Sequence, residues 1–557
     1  MRKFLYPLFI RSCCVGVVLL LHLISTNPSP AGTPDKNVGI SNPDDFIEVS
    51  GKVVSTADQM GIPGANVLIK GTFSGTVTDV EGNYSISVTD EDAVLVFSSI
   101  GYETLEVPVN GRSVINVTLE EELQGLDEVV VVGYVTKEKG QLTGSVANVS
   151  GEDLVRIRSS DLTKSLQGVM PGLKISDRGG APGNEEVDIN IRGIHTLGDN
   201  APLIIIDGVP REGLGQLAAE DIEEISVLKD ASAAIYGARA ANGVIVVRTK
   251  RGKPGEFRVQ LKANLGTNAL TRIPEMMESW QWATYQNEVQ RGYGMQPLFS
   301  EEDIQKYRDG SNPITHPNTD FYSLTFRDYA PESNYNISAM GGSENVQYFI
   351  SGDYLRKESQ YSSKDGAYEQ YQLRSNIDAR IHEYLNIGMD INIRLEESKM
   401  PSNSISNIIH RVYFNYPIEP AFYPNGLPYY TREGGGNPVV MNSFEMGWDE
   451  RIDKVIQTKL SFDLNLDWIT KGLGMIGYGA IDYDIGNDEV HIKPAPLYKY
   501  NPNTEEYDEM MSAGVMSLAK SNDVTRDNLY HIRLAYNNSF GDHNIGTFIA
   551  YEQSETE

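Results

Sequence analysis

The chain has 557 residues, too many for one ordinary domain, so several are expected. Lys and Arg number 47 against 76 Asp and Glu, a formal charge of −29. That balance excludes a nucleic-acid partner, because no basic footprint exists to neutralise phosphates. Tyr (30) far outnumbers Phe (16) and Trp (4), and 52 Gly suit short strands, tight turns and interfacial aromatics.

Arg2 and Lys3 precede an apolar run from Cys13 to Ile24 and a Ser/Pro-rich stretch to Gly32. This is the layout of a secretory signal peptide, with its cleavage region inside 1–32 and the cut left open by Arg11. The run is too short to span a bilayer as a helix, and no later segment is apolar over the ~20 residues that spanning requires. Both cysteines, Cys13 and Cys14, lie within it. The exported chain is therefore expected to hold no disulfide and no thiolate metal site.

A polar linker over 33–45 leads into residues 46–122, where short runs are separated by Gly, Pro and Asp. The runs are Ile47-Glu48-Val49, 65–69, 84–88, 94–97, 105–109 and 115–119, a spacing that predicts a β-sandwich. The order "GKVVSTADQMGIPGANVLIKGTFSGTVTDVEGNYSISV", then "FSSIGYETLEVPV", resembles the carboxypeptidase-regulatory-like domain, which implies a transthyretin-like sandwich without a catalytic domain. Asp79, Glu81 and Asn83 suggest a calcium loop, but Gly82 stands fourth where an EF-hand needs Gly sixth, so a β-turn is expected.

Residues 123–139 read as a second linker. Within it lies the run Asp127, Glu128, Val129, Val130, Val131, Val132, Gly133, Tyr134, whose four β-branched residues favour an extended backbone. Two readings are open: a structural strand of the preceding domain, or a strand kept unpaired so that a partner can add it to a sheet edge.

Residues 140–252 form a mixed, Gly-rich α+β domain. "LQGVMPGLKIS", "GAPGNEEVDINIRGI", "NAPLIIIDGVP" and "DIEEISVLKDASAAIYGARAANGVIVVRTKRG" follow in order the plug domain of SusC/RagA-type TonB-linked outer-membrane proteins, which the chain resembles here over about 110 residues. The matched positions are Arg192, Gly193, Asp207, Gly208, Lys229, Asp230, Tyr236, Gly237, Arg239, Asn242 and Gly243. Residues 202–206 are expected as a buried strand turning at Asp207-Gly208, residues 221–229 as an alternating strand, and 230–236 as a short helix. Asn242-Gly243 reads as a turn into a strand at 244–247. Arg192, Asp207, Lys229, Asp230 and Arg239 have no His, Cys or nucleophile pattern beside them, so ion pairing within the plug is expected rather than catalysis.

From Phe257 apolar and polar residues alternate, and the alternation returns at 335–340, 346–354, 371–381, 385–395, 460–468, 475–485, 530–536 and 545–551. Ten-residue dyad segments are the mark of a membrane barrel. The connectors alternate long and short, as extracellular loops and periplasmic turns do. In 460–468, Leu460, Phe462, Leu464, Leu466 and Trp468 are expected to face lipid, and Ser461, Asp463, Asn465 and Asp467 the lumen. Nine strands over 253–557 are an odd number for an up-and-down barrel, so the expectation is the first part of a barrel of about 22 strands in a longer chain.

No phosphate loop, G-x-S-x-G, H-E-x-x-H or C-x-x-C occurs, and the eight His are dispersed, so neither an enzyme nor a cofactor or metal is expected. The resemblance implies active import through the outer membrane of an oligosaccharide or a peptide. It further implies a SusD-type surface lipoprotein as lid and the TonB–ExbB–ExbD complex pulling the 127–134 segment, the TonB box, from the periplasm. A signal transducer is the alternative, but its extra signalling domain has no room beside the sandwich. A passive porin or adhesin is a third reading, opposed by the plug.

Overall fold

A computed structural model describes residues 47–557 apart from 57–59, 71, 73, 89, 91–92, 100–101, 103, 121–128, 133–134, 139–145, 157–160, 195, 197, 215–216, 256, 272–273, 433–435 and 542. The expected signal peptide and first linker lie outside the described residues. The chain divides into two compact units, meeting at Asp127 and Glu128.

The first unit is a two-sheet sandwich. Its strands are β1 (Ile47–Ser55), β2 (Asn66–Ile69), β3 (Gly75–Val77), β4 (Asn83–Val88), β5 (Val94–Ser98), β6 (Leu105–Pro108) and β7 (Val117–Leu119). One sheet has the order β4-β1-β7 and the other β3-β2-β5-β6. Alternating inward residues, among them Val49, Val53, Val67, Ile86, Leu95, Phe97 and Val117, fill the space between the sheets. The Tyr84 hydroxyl, buried with them, donates to the Ile115 carbonyl at 2.8 Å, which satisfies its polar end. The sequence misses β3, three residues whose side chains show no alternation. Asp79 forms the expected turn: its carboxylate accepts from the Glu81 and Asn83 amides at 2.9 and 2.8 Å.

The second unit begins with the hairpin β8 (Val129–Val132) and β9 (Val135–Glu138). The plug follows, with β10 (Val146–Ser150), β11 (Leu173–Ala181), β12 (Asn184–Ile191), β13 (Leu203–Ile206), β14 (Val209–Pro210), β15 (Ile222–Leu228) and β16 (Val244–Thr249). Its main sheet has the order β10-β15-β16-β13-β14, with β13 and β16 parallel, and β11-β12 form a separate ribbon. Ile222, Ile225, Val227, Ile245 and Val247 pack with Leu154, Leu162 and Leu166 in one core.

The remaining strands are β17 (Arg258–Asn268), β18 (Ala330–Gly342), β19 (Val346–Glu358), β20 (Ala367–His382), β21 (Leu385–Pro401), β22 (Gly447–Asn465), β23 (Leu473–Ile492), a small hairpin of β24 (Leu497–Asn501) and β25 (Glu506–Met511), β26 (Ser517–Phe540) and β27 (His543–Thr556). Nine of them form one antiparallel sheet, β17-β18-β19-β20-β21-β22-β23-β26-β27, each paired with its neighbour in sequence. The nine expected alternating segments thus correspond to nine strands. Side chains on one face reach the plug, and the other face carries an apolar ladder running Leu385, Leu464, Met475, Leu534 and Ile549 across five strands. No described helix is long and apolar enough to cross a membrane.

Two long connectors hold helices, Ser279–Gly292 and Glu301–Asp309 in the first and Ile405–Phe414 in the second. Phe321, Phe326 and Tyr361 pack with Ile408, Val412 and Met441, tying the connectors after β17 and β21 to the one after β19. Leu466 and Trp468 differ from expectation. The strand ends at Asn465, so both lie in the turn to β23, where Leu466 is buried while Trp468 is exposed. Asp467 caps that turn by accepting from the Gly472 amide at 2.6 Å.

Candidate functional site

The Val129–Val132 run is extended, as its β-branched residues favour. It belongs to neither sandwich sheet, and it is not unpaired: β8 pairs antiparallel with β9, Val129 opposite Glu138 and Val132 opposite Val135. Among the described residues no third strand joins this hairpin. Asp127, Glu128, Gly133 and Tyr134 lie outside the described residues.

In the plug, three non-glycine motif residues have positive φ: Arg192 (60°), Asp207 (50°) and Asp230 (53°). Arg192 pairs with Asp230 at 2.7 Å, an ion pair within the plug as expected. Gly193 and Gly237 also have positive φ. Lys229 donates through Nζ to the Pro171 carbonyl; burial and the neighbouring charge of Arg192 push its pKa down. The expected helix at 230–236 is two 3-10 turns, Asp230–Ser232 and Ala234–Tyr236, and Asp230 enters the first of them from the left-handed region. β15 alternates only at its start, since both of its faces are covered. Asn242 and Gly243 do form a turn, though not a two-residue hairpin: β15 and β16 pair antiparallel across residues 229–243. Asn242 Nδ2 donates to the Asp199 carbonyl at 3.1 Å. Gly243 has φ +89°, and a Cβ there would stand 2.7 Å from Ile191 Cδ1.

The other two motif ions do not pair within the plug. Arg239 meets Glu552 of β27 at 2.7 Å. Asp207, side chain 6% exposed, accepts from the Thr249 amide at 3.0 Å and hydroxyl at 2.7 Å, and stands 4.0 Å from Arg374 of β20. Burial alone would raise its pKa; Arg251, Arg374, the Thr249 N–H and Lys459 outweigh it and hold it below the ordinary carboxyl value. Asp207 and Gly208 both have positive φ, which closes the β13–β14 hairpin as a tight two-residue turn.

Further bridges run from plug to sheet. Arg374 reaches Asp221 at 3.2 Å, Arg211 reaches Asp482 at 2.8 Å, and Lys357 reaches Glu185 at 2.9 Å. Arg251, at the exit of the plug, spans Asp378 and Asp390 at 3.0 and 2.8 Å, and these carboxylates raise its pKa against the cost of burial. Asn376 Nδ2 donates to Thr249 Oγ1 and to the Lys250 carbonyl, both at 2.8 Å. Sequence reasoning missed Arg374, Asp390, Asp482 and Glu552. Their signal was their place on the polar phase of the alternation, where large charged groups stand opposite the apolar ladder.

The plug-like domain is thus held by several buried ion pairs against one face of the nine-stranded sheet. Residues 138–244 match the TonB-dependent Receptor Plug Domain and residues 49–131 the CarboxypepD_reg-like domain. A TonB-dependent receptor of Formosa agariphila is 38% identical over 352 residues, covering 62% of this chain and 34% of that protein. The TonB-dependent receptor SusC of Bacteroides thetaiotaomicron is 34% identical over 320 residues, 55% of this chain and 30% of that protein. In solved structures, the RagAB peptide importer in its open-open state shares the fold with TM-score 0.59 and 22% identity, over 77% of this chain and 49% of that one. The chain is therefore similar, in its sandwich, its plug and its first barrel-type strands, to SusC/RagA-type TonB-dependent receptors. It spans about a third of the length of these curated relatives.

Proposed function

We propose that the chain serves TonB-dependent import of a large nutrient across the outer membrane, an oligosaccharide foremost and a peptide as the second class. The domains we assign are a signal region (1–32), a linker (33–45), the sandwich (46–122), a linker with the TonB box (123–139), the plug (140–252) and barrel strands (253–557). TonB, with ExbB and ExbD, engages residues 127–134 from the periplasm, and a SusD-like lipoprotein closes the outer side. The single observation that carries this reading is the plug's attachment. It is held to the sheet through ion pairs and hydrogen bonds at discrete points, an arrangement that blocks a lumen yet can be released by work.

The β8–β9 hairpin sharpens the coupling role. Two residues separate the strands, so Val132 and Val135 form the closing, hydrogen-bonded pair. Val130 then also faces β9, while Val129 and Val131 turn their N–H groups outward, where a partner strand can add. Val131→Pro removes an outward donor and should abolish uptake at normal outer-membrane abundance, whereas Val130→Ile should import normally. Uptake per cell and transporter abundance are measured together in the full-length protein. Parallel loss of both by Val131→Pro would support a purely structural strand, and normal uptake would remove the coupling role.

A further inference from the structure

The tip of the β13–β14 hairpin is fastened from the sheet side by two side chains. Lys459 Nζ, from β22, donates to the Asp207 carbonyl at 2.6 Å, and the Tyr478 hydroxyl, from β23, donates to the Gly208 carbonyl at 2.9 Å. The same two side chains lie together, the ammonium 5.0 Å from the ring centroid. Val209 adds an apolar contact with Ala480 and Leu529. Directly beside this contact is a cavity of about 450 Å³ whose lining includes Lys459 and Tyr478. It extends from them along β20 to β23 to Glu344, Asn345, Arg380 and Asp463, at the short-turn end of the sheet. A second cavity of about 300 Å³ is lined by Gly208 and by His531 and Glu552 of β26 and β27. Tyr478 and His531 stack at 4.9 Å, so one aromatic pair stands between the two spaces.

We propose that the Asp207–Gly208 turn is the gate of the route on this side of the lumen. Lys459 and Tyr478 are the positioning residues that latch it, and the larger cavity is the vestibule through which a polar cargo leaves. The idea rests on the import reading. Both latch bonds end on main-chain carbonyl oxygens of the turn, while Thr249 holds the Asp207 carboxylate from within the plug and the Lys459 charge favours its ionised form. Withdrawal of the hairpin would free both oxygens to water, uncover the vestibule from above and join it to the space beside His531.

The test uses full-length protein. Tyr478→Phe with Lys459→Met removes both latch donors and should raise resting KCl conductance in planar bilayers about tenfold, the scale of losing one to two net hydrogen bonds. Tyr478→Phe with Lys459→Arg keeps a donor and should leak less. Separately, Ser461→Cys lines the vestibule, and its modification by a bulky maleimide should block uptake, whereas modification of the outward-facing Leu460→Cys should not. Wild-type conductance in the double variant at normal abundance overturns the latch. Unchanged uptake after Ser461→Cys modification overturns the route, and it decides the matter if the double variant fails to assemble. The conductance arm needs no substrate, so it fails independently of the import reading, which falls if the unmodified protein shows no TonB-dependent uptake.

Discussion

Asp207 shows how one plug residue is set by groups far away in sequence. Its backbone is left-handed at φ 50°, a conformation Asn adopts as readily as Asp, so Asp207→Asn removes charge without adding strain. The substitution leaves Arg374 and Arg251 with one buried partner fewer, and breaking a buried pair costs about 3–5 kcal/mol. Its pKa is depressed, so the stabilising charge is fully present above the ordinary carboxyl value near ~4 and is lost as pH falls through the lower folded value. Plug retention, read as the urea midpoint for protease cleavage of the plug in the full-length protein, should drop for Asp207→Asn at pH 7. The gap to wild type should narrow in acid below about pH 4. An equal gap at pH 7 and pH 3 would sink the electrostatic account. Ion pairing within the plug was expected from the sequence without naming partners, and Arg192–Asp230 is such a pair. The partners of Asp207 and Arg239 lie more than 160 and 300 positions away, and nothing in local spacing reports them.

At the scale of elements the strands were legible because the two faces of the sheet meet different surroundings, and period-two alternation records that difference. Strand ends were not legible. β22 begins at Gly447, thirteen residues before its expected start, and β26 runs for 24 residues. These extensions carry Asp449, Arg451, Asp453, Asp523 and Asp527, and the other face mixes Glu450, Lys454, Asn522 and Arg526 with Trp448, Ile452 and Val524, so the alternation fades while pairing continues. The phase of the apolar part gives a sharp contrast. Leu464 stands in the ladder between Leu385 and Met475, and Asp463 lines the vestibule. Leu460 shares the face of Leu464 and lies five residues inside the strand end, so Leu460→Arg should cost about 2–4 kcal/mol near the midplane and impair barrel assembly in the full-length protein, whereas Asp463→Arg should be tolerated. Heat-modifiable gel mobility reads both, and equal behaviour of the two variants would contradict the assigned faces. The plug's secondary structure was less legible, because burial on both faces of β15 and β16 erases the pattern that marks a half-covered strand.

Over the whole second unit the decisive feature is that the nine-stranded sheet is open. β17 and β27 are its two edges, and they do not pair with each other. β17 presents Val259, Leu261 and Leu265 as exposed apolar side chains, and β27 presents Ile545, Ile549 and Tyr551. A sheet edge facing lipid leaves a row of N–H and C=O groups without partners, each costing several kcal/mol, so a bilayer tolerates only closed barrels. The closing strands must therefore come from chain other than residues 258–556, whether in one polypeptide or in a second copy. Refolded alone in detergent, the 557-residue chain should show no heat-modifiable monomer band and no single cooperative melting transition. Its 14-residue β27 edge should make it aggregate or pair. Light scattering separates the outcomes. A heat-modifiable dimer would mean that two nine-stranded sheets close one barrel of eighteen, and polydisperse aggregate would mean that the edges find no mate. A monodisperse monomer with barrel-like mobility would show that β17 and β27 can meet, and it would overturn the open-sheet topology together with the requirement for further strands.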